Sequence, residues 1–398
     1  MGINNCPVCG SNLTNNFLIR EQVPVHQNLV MNQMDSAIKI NLGKLNLLVC
    51  EECGFIFNQE FDLLKLNYGD AYDNNQAYSP SFSEYLEELA RHLVFEKGVQ
   101  NCRIVEVGCG QGVFLRKLVE TAAYGNSGYG LDPSYTGAIH DLEGRLEFQK
   151  RYYDADCADI PADVVICRHV IEHIPDPVAL LRTIRQALVN SPHARVFFET
   201  PCVEWILRNQ VIWDFFYEHC SYFTAESLTT AFEISGFKVE SVRHVFGEQY
   251  LWLEATIPQE QPVVSKQPKN IPQLAKDFYR WESDFKKIWE IKIKKLAAKE
   301  KIAIWGAGAK GVTFANLIDS KGEWISCVVD INQNKQGNYL PGTGHAIISY
   351  QQLKNFGITC AILMNPNYLE EVTVLLQEAK ISINLMNAME YRVYEVNN

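Results

Sequence analysis

The chain has 398 residues, 47% hydrophobic and 21% charged, an ordinary globular composition on more residues than one core absorbs, so two or three domains are expected. Its 36 Lys plus Arg against 47 Asp plus Glu leave a net charge of −11, which opposes attraction to phosphate backbones and anionic lipids and argues against nucleic-acid or membrane partners. No stretch approaches the roughly 20 apolar residues of a membrane span, and the opening MGINNCPVCG lacks the basic and apolar regions of a secretion signal, so a cytoplasmic protein is expected.

Residues 1–67 read as a zinc-binding module. Cys6-Pro-Val-Cys9-Gly and Cys50-Glu-Glu-Cys53-Gly are two knuckles, each a tight turn that exposes two sulfurs toward one ion. Four thiolates supply the tetrahedral shell zinc favours, and a filled shell leaves no position for water, so this zinc is expected to be structural. The other eight cysteines are scattered, several in apolar runs, as small core residues would be.

From residue 68 to 258 strand-like and helix-like segments alternate, which predicts a doubly wound α/β domain. In CRIVEVGCGQGVFLRKLVE an apolar strand ends at Glu106-Val-Gly108-Cys-Gly110-Gln-Gly112, followed by a helix with Phe114, Leu115 and Leu118 inward. Glycines let the backbone approach a ligand closely. Some twenty residues on, GYGLDPS ends a second strand with Asp132 and Pro133, where such folds place a carboxylate for ribose hydroxyls. The E-x-G-x-G-x-G form resembles class I S-adenosylmethionine-dependent methyltransferases. That resemblance implies a glycine turn cradling the methionine part of the cofactor, Glu106 near its amino group and Asp132 on its ribose.

ADVVICRHVIEHIPDP contains His169-Val-Ile-Glu172-His173, the spacing of a zinc-protease helix. Pro175 disfavours helical geometry at Ile174, so any helix there ends almost at once and a peptidase is not supported. The segment instead resembles the one after the fourth strand of class I methyltransferases. Arg168 and His169 are then expected beside the cofactor, with His173 packing or capping.

In IWDFFYEHCSYFTAESL, Tyr217, Glu218, His219 and Tyr222 stand just before a helix that Thr224 could cap. Histidine titrates near neutrality and an adjacent carboxylate can orient it, so His219 is the candidate base, Glu218 its partner, and Tyr217 or Tyr222 a candidate oxyanion donor. A linker, residues 259–273, leads to a helix with Leu274, Phe278, Trp281, Phe285 and Ile288 as its expected core seam. In the last segment, 274–398, KIAIWGAGAKGVTFANLI carries Gly306-x-Gly308-x-x-Gly311, and VVDIN places Asp330 where a ribose-binding acid belongs, so a smaller Rossmann-like α/β domain is expected.

Cysteine module, cofactor domain, EHxxYF stretch and Rossmann-like tail together resemble the sugar C-methyltransferase family, which methylates nucleotide-linked ketosugars. The resemblance implies that His219 removes a proton beside a ketone, that the resulting carbanion takes the methyl group, and that Tyr72, Tyr78, Lys310 and Asn365 contact the acceptor. This chain has Phe216-Tyr217-Glu218-His219 where that family commonly shows Tyr-His-Glu-His. Alternatives are O- or N-methylation of another small molecule, a nucleic-acid methyltransferase, a nicotinamide-dependent enzyme, and a binding protein with a relic pocket.

Overall fold

A computed structural model describes residues 5–66, 78–260, 262–264 and 266–390. Three sheets organise them. The first holds β1 (Thr14–Pro24), β2 (Leu42–Cys50) and β3 (Ile56–Asn58), an antiparallel meander in which one cysteine arm precedes β1 and the other follows from the end of β2, where Thr14 pairs with Cys50. The central sheet is built from β4 (Arg103–Val107), β5 (Ser127–Leu131), β6 (His140–Asp141), β7 (Leu146–Gln149), β8 (Val164–Arg168) and β9 (Arg195–Pro201). Next comes β10 (Ser221–Tyr222), which leaves this sheet and pairs with β3, so the first sheet takes its fourth strand from the segment just after His219. With β11 (Lys238–Val245) and β12 (Tyr250–Thr256) the central order is β11-β12-β9-β8-β4-β5-β7-β6.

In that order β4 lies between β5 and β8, all parallel, and the chain leaves β4 for opposite edges on its two sides. Such switch points open a crevice beyond the carboxyl ends of the strands, and Gly108–Gly112 lies there. The third sheet has β13 (Ile302–Trp305), β14 (Ile325–Val329), β15 (Ile347–Ile348), β16 (Cys360–Leu363) and β17 (Asn384–Asn387), all parallel, in the order β15-β14-β13-β16-β17. The fold is thus mixed α/β, with the expected Rossmann-like central sheet and a smaller second one.

The helix Ile271–Ala297 begins inside the expected linker, and its buried face is Ile271, Ala275, Phe278, Glu282, Phe285, Trp289 and Ile293. This face is rotated by about one residue from the anticipated seam, sharing only Phe278 and Phe285 with it. The reason is Arg20 of β1, whose Nε lies 2.9 Å from Glu282 and whose other nitrogens donate to the Phe215 and Ile212 carbonyls, both at 2.7 Å. A buried guanidinium requires acceptors, so Glu282 turns inward. Beside it Trp213 and Trp289 pack against Phe285 and Phe314, joining this helix to the turn before His219 and to the helix Ala309–Ile318. One core thus joins the first and third sheets through residues 203–222, while a second packs Leu48, Phe55 and Phe57 of the first sheet and its flanks against the central sheet.

Candidate active site

The four cysteines converge. Cys6 Sγ lies 3.6 Å from Cys53 Sγ and Cys9 Sγ 3.6 Å from Cys50 Sγ, with all four sulfurs within 4.8 Å of one another. Tetrahedral zinc with Zn–S near 2.3 Å sets sulfurs about 3.8 Å apart, so the donor set fits.

At the end of β4, Gly108, Gly110 and Gly112 all have left-handed φ, of 69°, 53° and 75°. A β-carbon on Gly108 would come within 2.3 Å of Val170 Cγ2, whereas one on Gly110 would meet open space. The turn is held by Asp132, which accepts from Gly110 N at 2.9 Å and from Ser134 N and Oγ at 2.7 and 2.6 Å. The third sheet repeats the device: Asp330 accepts from Ala307 N at 2.7 Å and from Asn332 N at 2.8 Å. Glu106, 3% exposed, accepts from Leu115 N at 3.2 Å, and burial pushes its pKa up to about 8 despite the nearby Arg168.

Arg168 and His169 face different ways. The Arg168 guanidinium sits 4.5 Å over the Phe114 ring, donates from Nε to Glu199 at 2.5 Å, and leaves Nη2 buried without a partner among the described residues. His169 has a left-handed φ of 54°, uncommon for a side-chain-bearing residue, and is pinned by its N–H to the Glu199 carbonyl at 2.9 Å. Its ring lies between Glu172, 3.3 Å from Nδ1, and Glu199, 3.5 Å from Nε2. Burial works against charge there, but these carboxylates outweigh it and raise the His169 pKa to about 9. Burial likewise opposes ionisation of Glu199, yet Arg168 and His169 hold it down to about 2.

His169 borders a cavity of about 260 Å³ between the central and third sheets. His173, Glu218, His219, Tyr250, Lys310 and Asn365 line it, as do Tyr78, Asn28 and Lys335. His219 is the half-buried member of an otherwise buried run, 211–220. Its ring packs on Phe216 at 4.2 Å and edge-on to His173 at 4.8 Å. Burial, then His173, His169 and Lys310, keep its pKa well below the ordinary imidazole value, so it is neutral at pH 7.

Several expectations need correction. Tyr217 is fully buried and exchanges hydrogen bonds with the Asp62 backbone, at 2.8 Å from N and 3.4 Å from O, while Tyr222 bonds the Phe216 backbone, so neither hydroxyl reaches the cavity. The Glu218 carboxylate does not orient His219; it pairs with His26 Nδ1 at 3.1 Å. Lys310 and Asn365 do line the cavity, Lys310 ion-paired with Asp214 and Asn365 accepting from Gln249 Nε2 at 2.8 Å. Tyr72 lies outside the described residues. His173 neither caps nor merely packs: Nδ1 donates to the Glu218 carbonyl at 2.9 Å, within the short turn Ile171–His173.

Glu172, His173 and His219 bring ligand atoms within 4.8 Å of one another. Both Glu172 oxygens are already engaged, by His169 at 3.3 Å and by Thr200 Oγ1 at 3.0 Å, which favours a hydrogen-bonded cluster over a cation site. Lys335, expected near the acceptor, does line the cavity, whereas sequence reasoning missed His26, Asn28 and Glu199. Of these only Glu199, a lone acid inside the apolar strand RVFFETP, left a signal.

Residues 79–242 match the family model for a methyltransferase domain, and residues 253–382 match that for a C-methyltransferase C-terminal domain. The curated proteins similar to this chain include the ubiquinone biosynthesis O-methyltransferase of Aeromonas salmonicida, 32% identical over 108 residues, and that of Yersinia enterocolitica, 29% identical over 121. These matches cover 26% and 29% of this chain and 44% and 47% of the relatives, so the chain spans less than half the length of either. Similar solved structures include an S-adenosylmethionine-dependent methyltransferase from Mesorhizobium loti (18% identity, TM-score 0.32, 43% of this chain and 99% of that one). Another is CalO1, a methyltransferase in calicheamicin biosynthesis in its SAH-bound form (18% identity, TM-score 0.34, 43% and 54%). Among the described residues no helix is long and apolar enough to cross a membrane. Both family matches are to methyltransferase domains, and together they support an S-adenosylmethionine-dependent methyltransferase.

Proposed function

We propose that the whole chain transfers a methyl group from S-adenosylmethionine to an enolisable carbon of a small ketone, with a nucleotide-linked ketosugar as the acceptor class and His219 as the base. The observation that carries this reading is a neutral, half-buried His219 on the wall of a cavity shared by the methyltransferase domain and the C-terminal glycine turn. The bound cofactor supplies an electrophilic methyl on a positive sulfur, so the protein's task is to create and aim a nucleophile. Gly108–Gly112, Glu106 and Asp132 would hold the cofactor, with the unpaired Nη2 of Arg168 available to its carboxylate. His219 takes the proton from the carbon beside the ketone. Lys310, in place of the tyrosines, supplies positive charge for the enolate oxygen, and Tyr78 and Asn365 line the acceptor's path.

The test is solvent exchange. Incubated in deuterium oxide with S-adenosylhomocysteine and thymidine- or uridine-diphosphate 4-ketohexoses, the protein should wash deuterium into the carbon beside the ketone, and His219→Ala should abolish this. Absence of wash-in with the native chain would remove carbanion chemistry. The names of the similar ubiquinone-pathway proteins favour a second reading, in which His219 deprotonates a hydroxyl for O-methylation. Carbon-13 NMR of product made with methyl-labelled cofactor separates the two, because an O-methyl carbon resonates far downfield of a C-methyl.

A further inference from the structure

The cavity is walled in part by the N-terminal module. Beyond β1, the segment Val25-His26-Gln27-Asn28 is buried along its whole length although three of its four residues are polar. Val25 N donates to the Asn41 carbonyl at 2.9 Å, His26 Nδ1 meets Glu218 Oε1 at 3.1 Å, and Asn28 Oδ1 accepts from Lys335 Nζ at 3.0 Å. Lys335 in turn lies 3.3 Å from the Ala307 carbonyl, in the C-terminal glycine turn. This four-residue strap fastens the first sheet both to the residue beside His219 and to the third sheet.

We infer that His26 is a positioning residue for the base: it engages the Glu218 carboxylate and so keeps that charge off the His173–His219 pair. The inference rests on the reading of His219 as base. Glu218 is 1% exposed, and a buried carboxylate stripped of its donor must find another. Its own peptide carbonyl already holds His173, and His219 is the next residue, so the imidazoles are the nearest replacements. An imidazole held as a cation against Glu218 has no lone pair with which to accept a proton from carbon. His26 thus sets the protonation state of a neighbour without touching the acceptor, and the cysteine module becomes part of the reaction centre rather than an appendage.

The experiment uses the zinc-loaded full chain with carbon-13 at histidine Cε1, the His219 signal being assigned by its loss in His219→Ala. In His26→Ala at pH 7 the His219 signal should move toward the imidazolium position. In His26→Asn, whose amide nitrogen can occupy the place of Nδ1, it should stay near the native position. Deuterium wash-in should fall about tenfold or more in His26→Ala and return to within about threefold in His26→Asn, with affinity for S-adenosylhomocysteine unchanged within about twofold in both. An unmoved His219 signal in His26→Ala, or an equal displacement in both variants, overturns the positioning role. If the native chain shows no wash-in, the base reading has failed, and the ring signals still decide whether His26 governs the charge on His219.

Discussion

Adding one methyl group at each of two glycines separates what the first glycine turn does for the fold from what it does for the cofactor. Gly110→Ala forces a side-chain-bearing residue to φ near 53° but places its methyl in open space. The folding cost is the left-handed conformation alone, about 1–2 kcal/mol. Gly108→Ala has the same conformational cost at φ 69° and also drives its β-carbon to 2.3 Å from Val170 Cγ2, adding about 1–3 kcal/mol of overpacking. Thermal unfolding should therefore rank the native chain above Gly110→Ala, and Gly110→Ala above Gly108→Ala. Affinity isolates the role of the empty volume. If that space receives the methionine end of the cofactor, the Gly110→Ala methyl intrudes by about 1–3 kcal/mol, a loss of about 5-fold to 150-fold in binding S-adenosylhomocysteine by calorimetry. Native affinity in Gly110→Ala would refute the assignment of the turn as the cofactor cradle, however destabilised that variant proved to be.

Tyr217→Phe and Tyr222→Phe should each leave deuterium wash-in near native and lose about 1 kcal/mol of stability, because their hydroxyls serve backbone groups; abolished exchange would return a hydroxyl to the mechanism. Arg20→Met should cost about 1–3 kcal/mol for each buried carbonyl it leaves without a donor, Ile212 and Phe215, and it leaves Glu282 with Lys286 alone at 3.3 Å, so adding Glu282→Leu should recover only a small part in thermal unfolding. His169, raised to about 9 from an ordinary 6.5, stabilises the fold fully below pH 6.5 and progressively less as pH rises through 9. His169→Asn, which also tolerates the left-handed backbone, should flatten the loss of melting temperature over pH 6.5–9, and an unchanged slope would contradict the assigned pairing with Glu199 and Glu172. Native mass spectrometry should find one zinc per chain, lost in Cys9→Ser; a second equivalent would relocate Glu172, His173 and His219 from proton handling to metal binding.

Local chemistry made much of the fold legible. Glycine turns after short apolar runs, acids some twenty residues on, and paired Cys-x-x-Cys arms are each written within one or two elements, and Phe114, Leu115 and Leu118 face inward as their spacing requires. The face of the helix Ile271–Ala297 was misread by about one residue because its register answers to a partner more than 250 positions away: Arg20 needs Glu282 inside. Spacing within a helix carries no record of a charge that another domain buries against it.

The candidate site was legible only where a residue's position depends on its own neighbours. His219 stands out among the titratable groups of its stretch because an imidazole suits proton chemistry near neutrality, and it does line the cavity. The same stretch misled on Tyr217, Glu218 and Tyr222, since adjacency in sequence was taken as adjacency of function. Strand β10 explains the failure. Pairing of Ser221 and Tyr222 with Phe57 and Ile56 fixes the backbone just after His219 to the first sheet, and before it the Tyr217 hydroxyl bonds Asp62 and the Glu218 carboxylate bonds His26. The loop that carries the proposed base is therefore shaped by the cysteine module, and the polar groups that module withdraws from the cavity matter as much as the one it leaves there. A cavity composed in this way from three sheets can be assigned its chemistry only after each titratable group has been matched with the partner it has already found.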